Sequence, residues 1–242
     1  MLHKEHNDLA IVHDKVSRLC EDRLARFQAE AFGEANLDFY LRYRGPLHAC
    51  TRTDSRSSEK HRIRTYLSPQ LQNLWKVDPR LQQVNLDGLH HATLSGRSVS
   101  IATQGRISSH SDCFYHIPLK GSRFIPLVIR PLKIICHLDI RFLRRDEPGA
   151  IIQGGDLDNR IKTLFDGLRM PLSEDEIPTD YDAGQTCFCL LEDDSLITRV
   201  NIDTGRLLGP IQGEENESDV ELAIHVSIKI SSPMWVNLDF DS

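Results

Sequence analysis

Hydrophobic residues recur along this chain with two distinct periods. From Leu37 to Tyr43 they alternate, with Leu37, Phe39, Leu41 and Tyr43 on one side and Asp38, Tyr40 and Arg42 on the other. That is the pattern of a strand with one buried face. The period of two returns from Leu132 to Phe142, where Ile134, Cys136, Leu138 and Ile140 alternate with Lys133, His137, Asp139 and Arg141. It returns again from Val220 to Ile230, and a shorter strand is predicted over Leu196 to Ile202. Elsewhere the period is helical. Ile161, Leu164, Phe165 and Leu168 recur at i, i+3, i+4 and i+7, which makes one buried helix face. An N-terminal helix is predicted from about residue 7 to Phe32, with Leu9, Val12, Val16, Leu19 and Leu24 as its stripe and Gly33 as its stop. Another is predicted near Glu59 to Trp75, with Pro69 as a potential interruption.

Strands with one apolar and one polar face, accompanied by amphipathic helices, imply an α+β fold: a mostly antiparallel sheet covered by helices on one face. The expected organisation is a helical extension over residues 1–36 and a core over residues 37–242. The stretch near 79–112 is weakly patterned and reads as an irregular insertion. The stretch near 170–190 is acidic and reads as a second one.

Composition narrows the class. Hydrophobic residues make up 40% of the 242, enough for a packed core. No apolar run approaches the ~20 residues of a membrane-spanning helix. The polar start of the chain is unlike a secretory signal, so a soluble, cytoplasmic protein is expected. The six cysteines are scattered, apart from Cys187-x-Cys189, and form no disulfide framework. Cys113 and His116 make one C-x-x-H without the second ligand pair that structural zinc wants, so thiols without zinc are expected. His90-His91 reads as a surface dipeptide.

The formal charge of −6 argues against a nucleic-acid partner until its distribution is considered. Arg42, Arg44, Arg52, Arg56, Lys60, Arg62 and Arg64 crowd the region from Tyr40 to Thr65. Acid gathers at Glu174-Asp175-Glu176, Glu192-Asp193-Asp194 and Glu214 to Glu221. A basic face beside an acidic site fits that asymmetry.

Candidate chemistry lies in Gly155-Asp156-Leu157-Asp158-Asn159-Arg160-Ile161-Lys162, then Asp166, then Asp193-Asp194-Ser195-Leu196-Ile197. Crowded carboxylates repel one another and invite a hard divalent cation. A lysine among them suits an anionic substrate such as a phosphodiester. At ~100° per residue, Asp158, Lys162 and Asp166 share one side of the helix. Asp158 or Asn159 is the expected N-cap. Asp156 and Asp158 are expected in an extended lead-in from which both carboxylates point one way. A plain i, i+4 charge ladder accounts for Asp158, Lys162 and Asp166 but not for Asp156 or the later acidic pair.

The pattern D-L-D-N-x-x-K-x-x-x-D, followed by D-D-x-x-I entering a strand, resembles the RusA family of Holliday junction resolvases. The likeness runs from about Leu132 to Ile230. It implies a homodimeric, magnesium-dependent endodeoxyribonuclease of bacterial or phage origin, acting on branched DNA at the nucleoid in recombination and repair, with Mn²⁺ as a possible substitute for Mg²⁺. Carried over residue by residue, Asp156, Asp158 and Asp194 are the implied metal ligands, Asp193 their neighbour and Lys162 the essential cation. Arg42, Arg52, Arg56, Arg62, Arg64 and Arg160 are the candidate DNA contacts. The alternative is a non-catalytic branched-DNA or partner-binding protein that keeps the fold. A D-x-D glycosyltransferase lacks the βαβ region it would need upstream.

Overall fold

A computed structural model of the protein describes residues 25, 28–29, 32, 36–48, 57–82, 92–94, 97–101, 115–145, 156–179, 181, 184–208 and 219–232. In chain order its elements are strand β1 (Leu37–Pro46), helix α1 (Ser57–Val77), a short helix α2 (Pro79–Gln82), strands β2 (Ala92–Leu94), β3 (Arg97–Ile101), β4 (Tyr115–Leu119), β5 (Ser122–Val128) and β6 (Ile134–Arg144), helix α3 (Asp156–Leu168), and strands β7 (Thr186–Leu191), β8 (Ile197–Arg206) and β9 (Asp219–Ile230). The class is α+β. Ala25, Gln28, Ala29 and Phe32 are helical, while the rest of the expected N-terminal helix lies outside the described residues.

Two sheets form where one was expected. The first has four strands in the order β1-β9-β6-β8, and the second five in the order β2-β3-β4-β5-β7. Each contains one parallel pair, β6 with β8 and β5 with β7. The alternating strands behave as their pattern dictates. Leu37, Leu41 and Tyr43 of β1, Leu138, Ile140 and Phe142 of β6, and Leu222, Ile224 and Val226 of β9 are buried on one side.

The second sheet escaped the periodicity for a physical reason. Phe124 to Val128 of β5 and Cys187 to Leu191 of β7 are buried on both faces, so each reads as a continuous apolar run, as parallel strands do. The region near 79–112 is not wholly irregular either. It supplies α2 and the β2–β3 hairpin at the outer edge of this sheet.

Helix α1 continues through Pro69. Ile63, Leu67, Leu71 and Trp75 form its buried stripe on both sides of the proline, and packing of that stripe outweighs the lost hydrogen bond. It packs against α3, β7 and β1, so one core cluster joins both sheets. It comes close to α3 at Gly167, where a Cβ would stand 2.6 Å from Ile63 Cγ2. Cys136, Cys187 and Cys189 are buried thiols, and burial pushes Cys136 up to about 12. No helix among the described residues is long and apolar enough to cross a membrane.

Candidate functional site

Helix α3 carries the acidic motif. It begins at Asp156, two residues before Asp158, so Asp158 lies within the first turn rather than at the cap. The backbone of both aspartates is helical, and the extended lead-in expected for them is replaced by geometry in which residues two apart do not face each other. The Asp156 side chain lies outside the described residues. Ile161, Leu164 and Leu168 turn inward, and Thr163 donates to the Asn159 carbonyl at 3.0 Å. Asp158 and Lys162 are exposed, one turn apart.

The plain i, i+4 charge ladder, the alternative reading of this helix, does not form. Among the described residues neither the Asp158 nor the Lys162 side chain has an ion pair or hydrogen bond. Asp166, one turn further on, is bound by Lys60 Nζ at 2.7 Å and by Arg169 at 2.7 Å. A half-buried lysine and a buried arginine hold Asp166 where an exposed lysine would have had to give up hydration. The motif therefore divides along its length. Asp166 is consumed by the fold, whereas Asp158 and Lys162 are left to solvent.

Arg64 anchors the consumed half. Its side chain is 0% exposed and donates to the backbone carbonyls of Arg169 and Asp166, both at 2.7 Å, and to Glu176 at 2.9 Å. Burial pulls its guanidinium below the usual range. Burial would do the same to Arg169, but Glu176 and Asp166 outweigh it and raise Arg169. Arg64 is thus removed from the expected DNA contacts, because a guanidinium sealed in the interior and capping the end of α3 cannot reach a phosphate. Glu176 shows that the acidic segment near 170–190 is partly woven into the fold. Lys120 reinforces it by donating to the carbonyls of Ile177 and Pro178. Asp180 and Asp182 lie outside the described residues.

The second acidic pair also divides. Met170 N donates to Leu191 O at 2.8 Å, which seats the end of α3 beside the end of β7. The chain then runs through Glu192 and Asp193 into a 3₁₀ turn, Asp194–Leu196, that packs against α3. Asp193 caps this turn, accepting from Ser195 N at 3.0 Å and from Ser195 Oγ, and it pairs with Arg130 at 3.0 Å. Burial alone would raise its carboxyl. The Ser195 hydrogen bonds and the charges of Arg130 and Arg169 overcome that and hold it below the usual carboxylate range. Asp194 is exposed and without an ion pair among the described residues. Of the four carried-over positions with described side chains, Asp158, Lys162 and Asp194 are open to a ligand and Asp193 is occupied.

Among the described residues no three histidine, cysteine or carboxylate side chains converge as a metal-binding group. The donors left open nonetheless have the chemistry such an ion prefers, carboxylate oxygens facing water without a counter-ion.

The remaining candidate DNA contacts differ from one another. Arg42 is 78% exposed and makes only a long contact of 3.7 Å to Glu221. Arg62 is half-exposed but donates to the Pro46 carbonyl at 2.6 Å. Arg160 is half-buried in the first turns of α3 and already engaged. Arg52 and Arg56 lie outside the described residues, as do Cys113 and His90-His91.

A second polar cluster was not singled out from the sequence. On the open face of the first sheet, Tyr40, Asp139, Arg141, Asp203 and His225 line a hollow of about 270 Å³. His225 sits 3.5 Å from Asp38 and 3.7 Å from Asp139, with its ring 4.8 Å from that of Tyr40. The polar positions of the alternating strands were its signal, but only the pairing register shows that they are neighbours. Comparison with protein-family models, with curated proteins and with solved structures finds no match.

Proposed function

We propose that this protein is a metal-dependent endodeoxyribonuclease that cuts branched DNA in the manner of the RusA resolvases. One observation carries the reading. Asp158, Lys162 and Asp194 are exposed without counter-ions, while neighbouring charges of the same motif are neutralised within the fold. A structural charge ladder would have paired Asp158 with Lys162.

Asp158 and Asp194, with Asp156, would hold Mg²⁺, or Mn²⁺ in its place. When bound, such an ion polarises a phosphodiester and acidifies a water for in-line attack. The chain's own contribution is positional and electrostatic. Asp158 sits at the positive end of α3, where its charge is favoured. Lys162 presents a compact ammonium one turn away to a phosphate and to the charge that grows on it. Arg42 is the exposed arginine best able to meet the DNA backbone. The reading implies work on bacterial or phage DNA in the cytoplasm.

The test is nicking of a synthetic four-way junction in Mg²⁺, with gel-shift binding measured in parallel. Asp158→Asn should lose at least about a hundredfold in rate while junction binding persists. Equal rates for wild type and Asp158→Asn would refute the assignment. Binding without cleavage under any divalent ion would instead favour the non-catalytic alternative.

A further inference from the structure

The two edges of the first sheet are treated differently. At β1 the Gln70 side chain closes the edge. Its Oε1 accepts from Arg42 N at 2.9 Å, and its Nε2 donates to Arg42 O at 2.7 Å. At the opposite edge, β8 spends one side of its backbone on β6, in unbroken register from Arg199 to Arg206. From Thr198 to Thr204 the other side meets no partner strand among the described residues. An unpaired edge of this length is normally blunted by proline, lysine or a covering segment, because it templates pairing with another chain. Residues 197 to 206 contain neither proline nor lysine, and the single bulge falls at the start of the strand.

The sequence of this edge is complementary to itself. Read outward from Asn201, Val200 faces Ile202, Arg199 faces Asp203 and Thr198 faces Thr204. An antiparallel pairing of the strand with a second copy, centred on Asn201, would set each of these residues opposite its counterpart. The two sheet faces also agree. Arg199, Asn201 and Asp203 register with His137, Asp139 and Arg141 on the open face, while Val200 and Ile202 register with Leu138 and Ile140 on the core side. A two-fold axis perpendicular to the sheet keeps each face with its own kind. Val200 is 39% exposed, apolar surface that Ile202 of a second copy would cover. Arg199 now reaches only Asp139, at 3.8 Å, a long and exposed contact that is easily exchanged.

We propose that β8 is the homodimer interface: two copies join antiparallel about Asn201 to make one eight-stranded sheet, held by two symmetry-related Arg199–Asp203 pairs and an apolar Val200–Ile202 seam. The proposal does not rest on the nuclease reading and is tested without DNA or metal. Light scattering during size-exclusion chromatography at tens of micromolar protein should give twice the monomer mass for wild type. Asp203→Arg faces arginine with arginine and should give monomer. The double variant Arg199→Asp with Asp203→Arg restores opposite charges and should return the dimer. Asn201→Cys should form an intermolecular disulfide with mild oxidant, since its own copy lies directly opposite. A monomeric wild type, a dimer indifferent to Asp203→Arg, or a double variant that stays monomeric would overturn the interface.

Discussion

Arg64→Met is the most informative structural perturbation, because the sequence placed Arg64 on a DNA-binding face and the fold places it in the core. Methionine keeps most of the apolar stem and removes the guanidinium. Two carbonyls at the end of α3, those of Asp166 and Arg169, would lose donors now at 2.7 Å. Each buried carbonyl left unsatisfied costs about 1–3 kcal/mol. Against this, a buried cation no longer has to be desolvated, and Glu176 keeps Arg169 at 3.0 Å, so no charge is stranded. The net loss is about 2–4 kcal/mol. For a chain of this size each kcal/mol is worth roughly 2–4 °C, so Tm should fall by about 4–16 °C. Thermal unfolding followed by circular dichroism, with the fluorescence of buried Trp75 as a second probe, reads this directly. Below its Tm the variant should bind branched DNA as wild type does. An unchanged Tm with lost DNA binding would refute the placement of Arg64 and return it to the surface.

Three further outcomes are expected. Asp194→Asn should abolish junction nicking, whereas Asp193→Asn, whose carboxylate is engaged by Ser195 and Arg130, should reduce it by less than about tenfold; equal losses in the two rates would contradict this division. Gly167→Ala should lower stability by about 1–2 kcal/mol despite alanine's helical preference of about 1 kcal/mol, because its Cβ would meet Ile63 Cβ at 2.7 Å; a raised Tm would show that α1 and α3 are less tightly packed. The folded-state pKa of Asp193 is depressed, so the unfolded chain takes up this proton first as pH falls. Its stabilisation is complete above about pH 4 and is lost as pH drops through the lower folded value. The Tm gap between wild type and Asp193→Asn should therefore narrow as pH falls below about 4, and a gap that widened in acid would reverse the sign.

What the chain reveals in sequence follows from where each residue is buried. Strands β1, β6 and β9 bury one face, so their alternation could be read directly, and so could the Ile161 to Leu168 stripe of α3. Strands β5 and β7 bury both faces and left no period to read. The candidate site divides in the same way. Motif spacing singled out Asp158, Lys162 and Asp194, and all three side chains are exposed. That Asp166 belongs to Lys60 and Arg169, that Asp193 belongs to Arg130, and that Arg64 caps α3 are pairings set mostly between residues distant in sequence, and no local pattern records them. Charge identifies an arginine but not its depth. The self-complementary run about Asn201 was present in the sequence throughout. It acquired meaning only when β8 proved to be an edge without a partner strand among the described residues and β1 a guarded one.

Whether Asp158 is a metal ligand or a solvated helix charge can be measured without choosing a DNA substrate. Electron paramagnetic resonance of Mn²⁺ titrated into metal-stripped protein counts bound ions in wild type and in Asp158→Asn. Saturable binding by wild type, displaced by Mg²⁺ and lost in the variant at unchanged Tm, is the predicted result. Identical Mn²⁺ binding by the two proteins, or none by wild type, would contradict it.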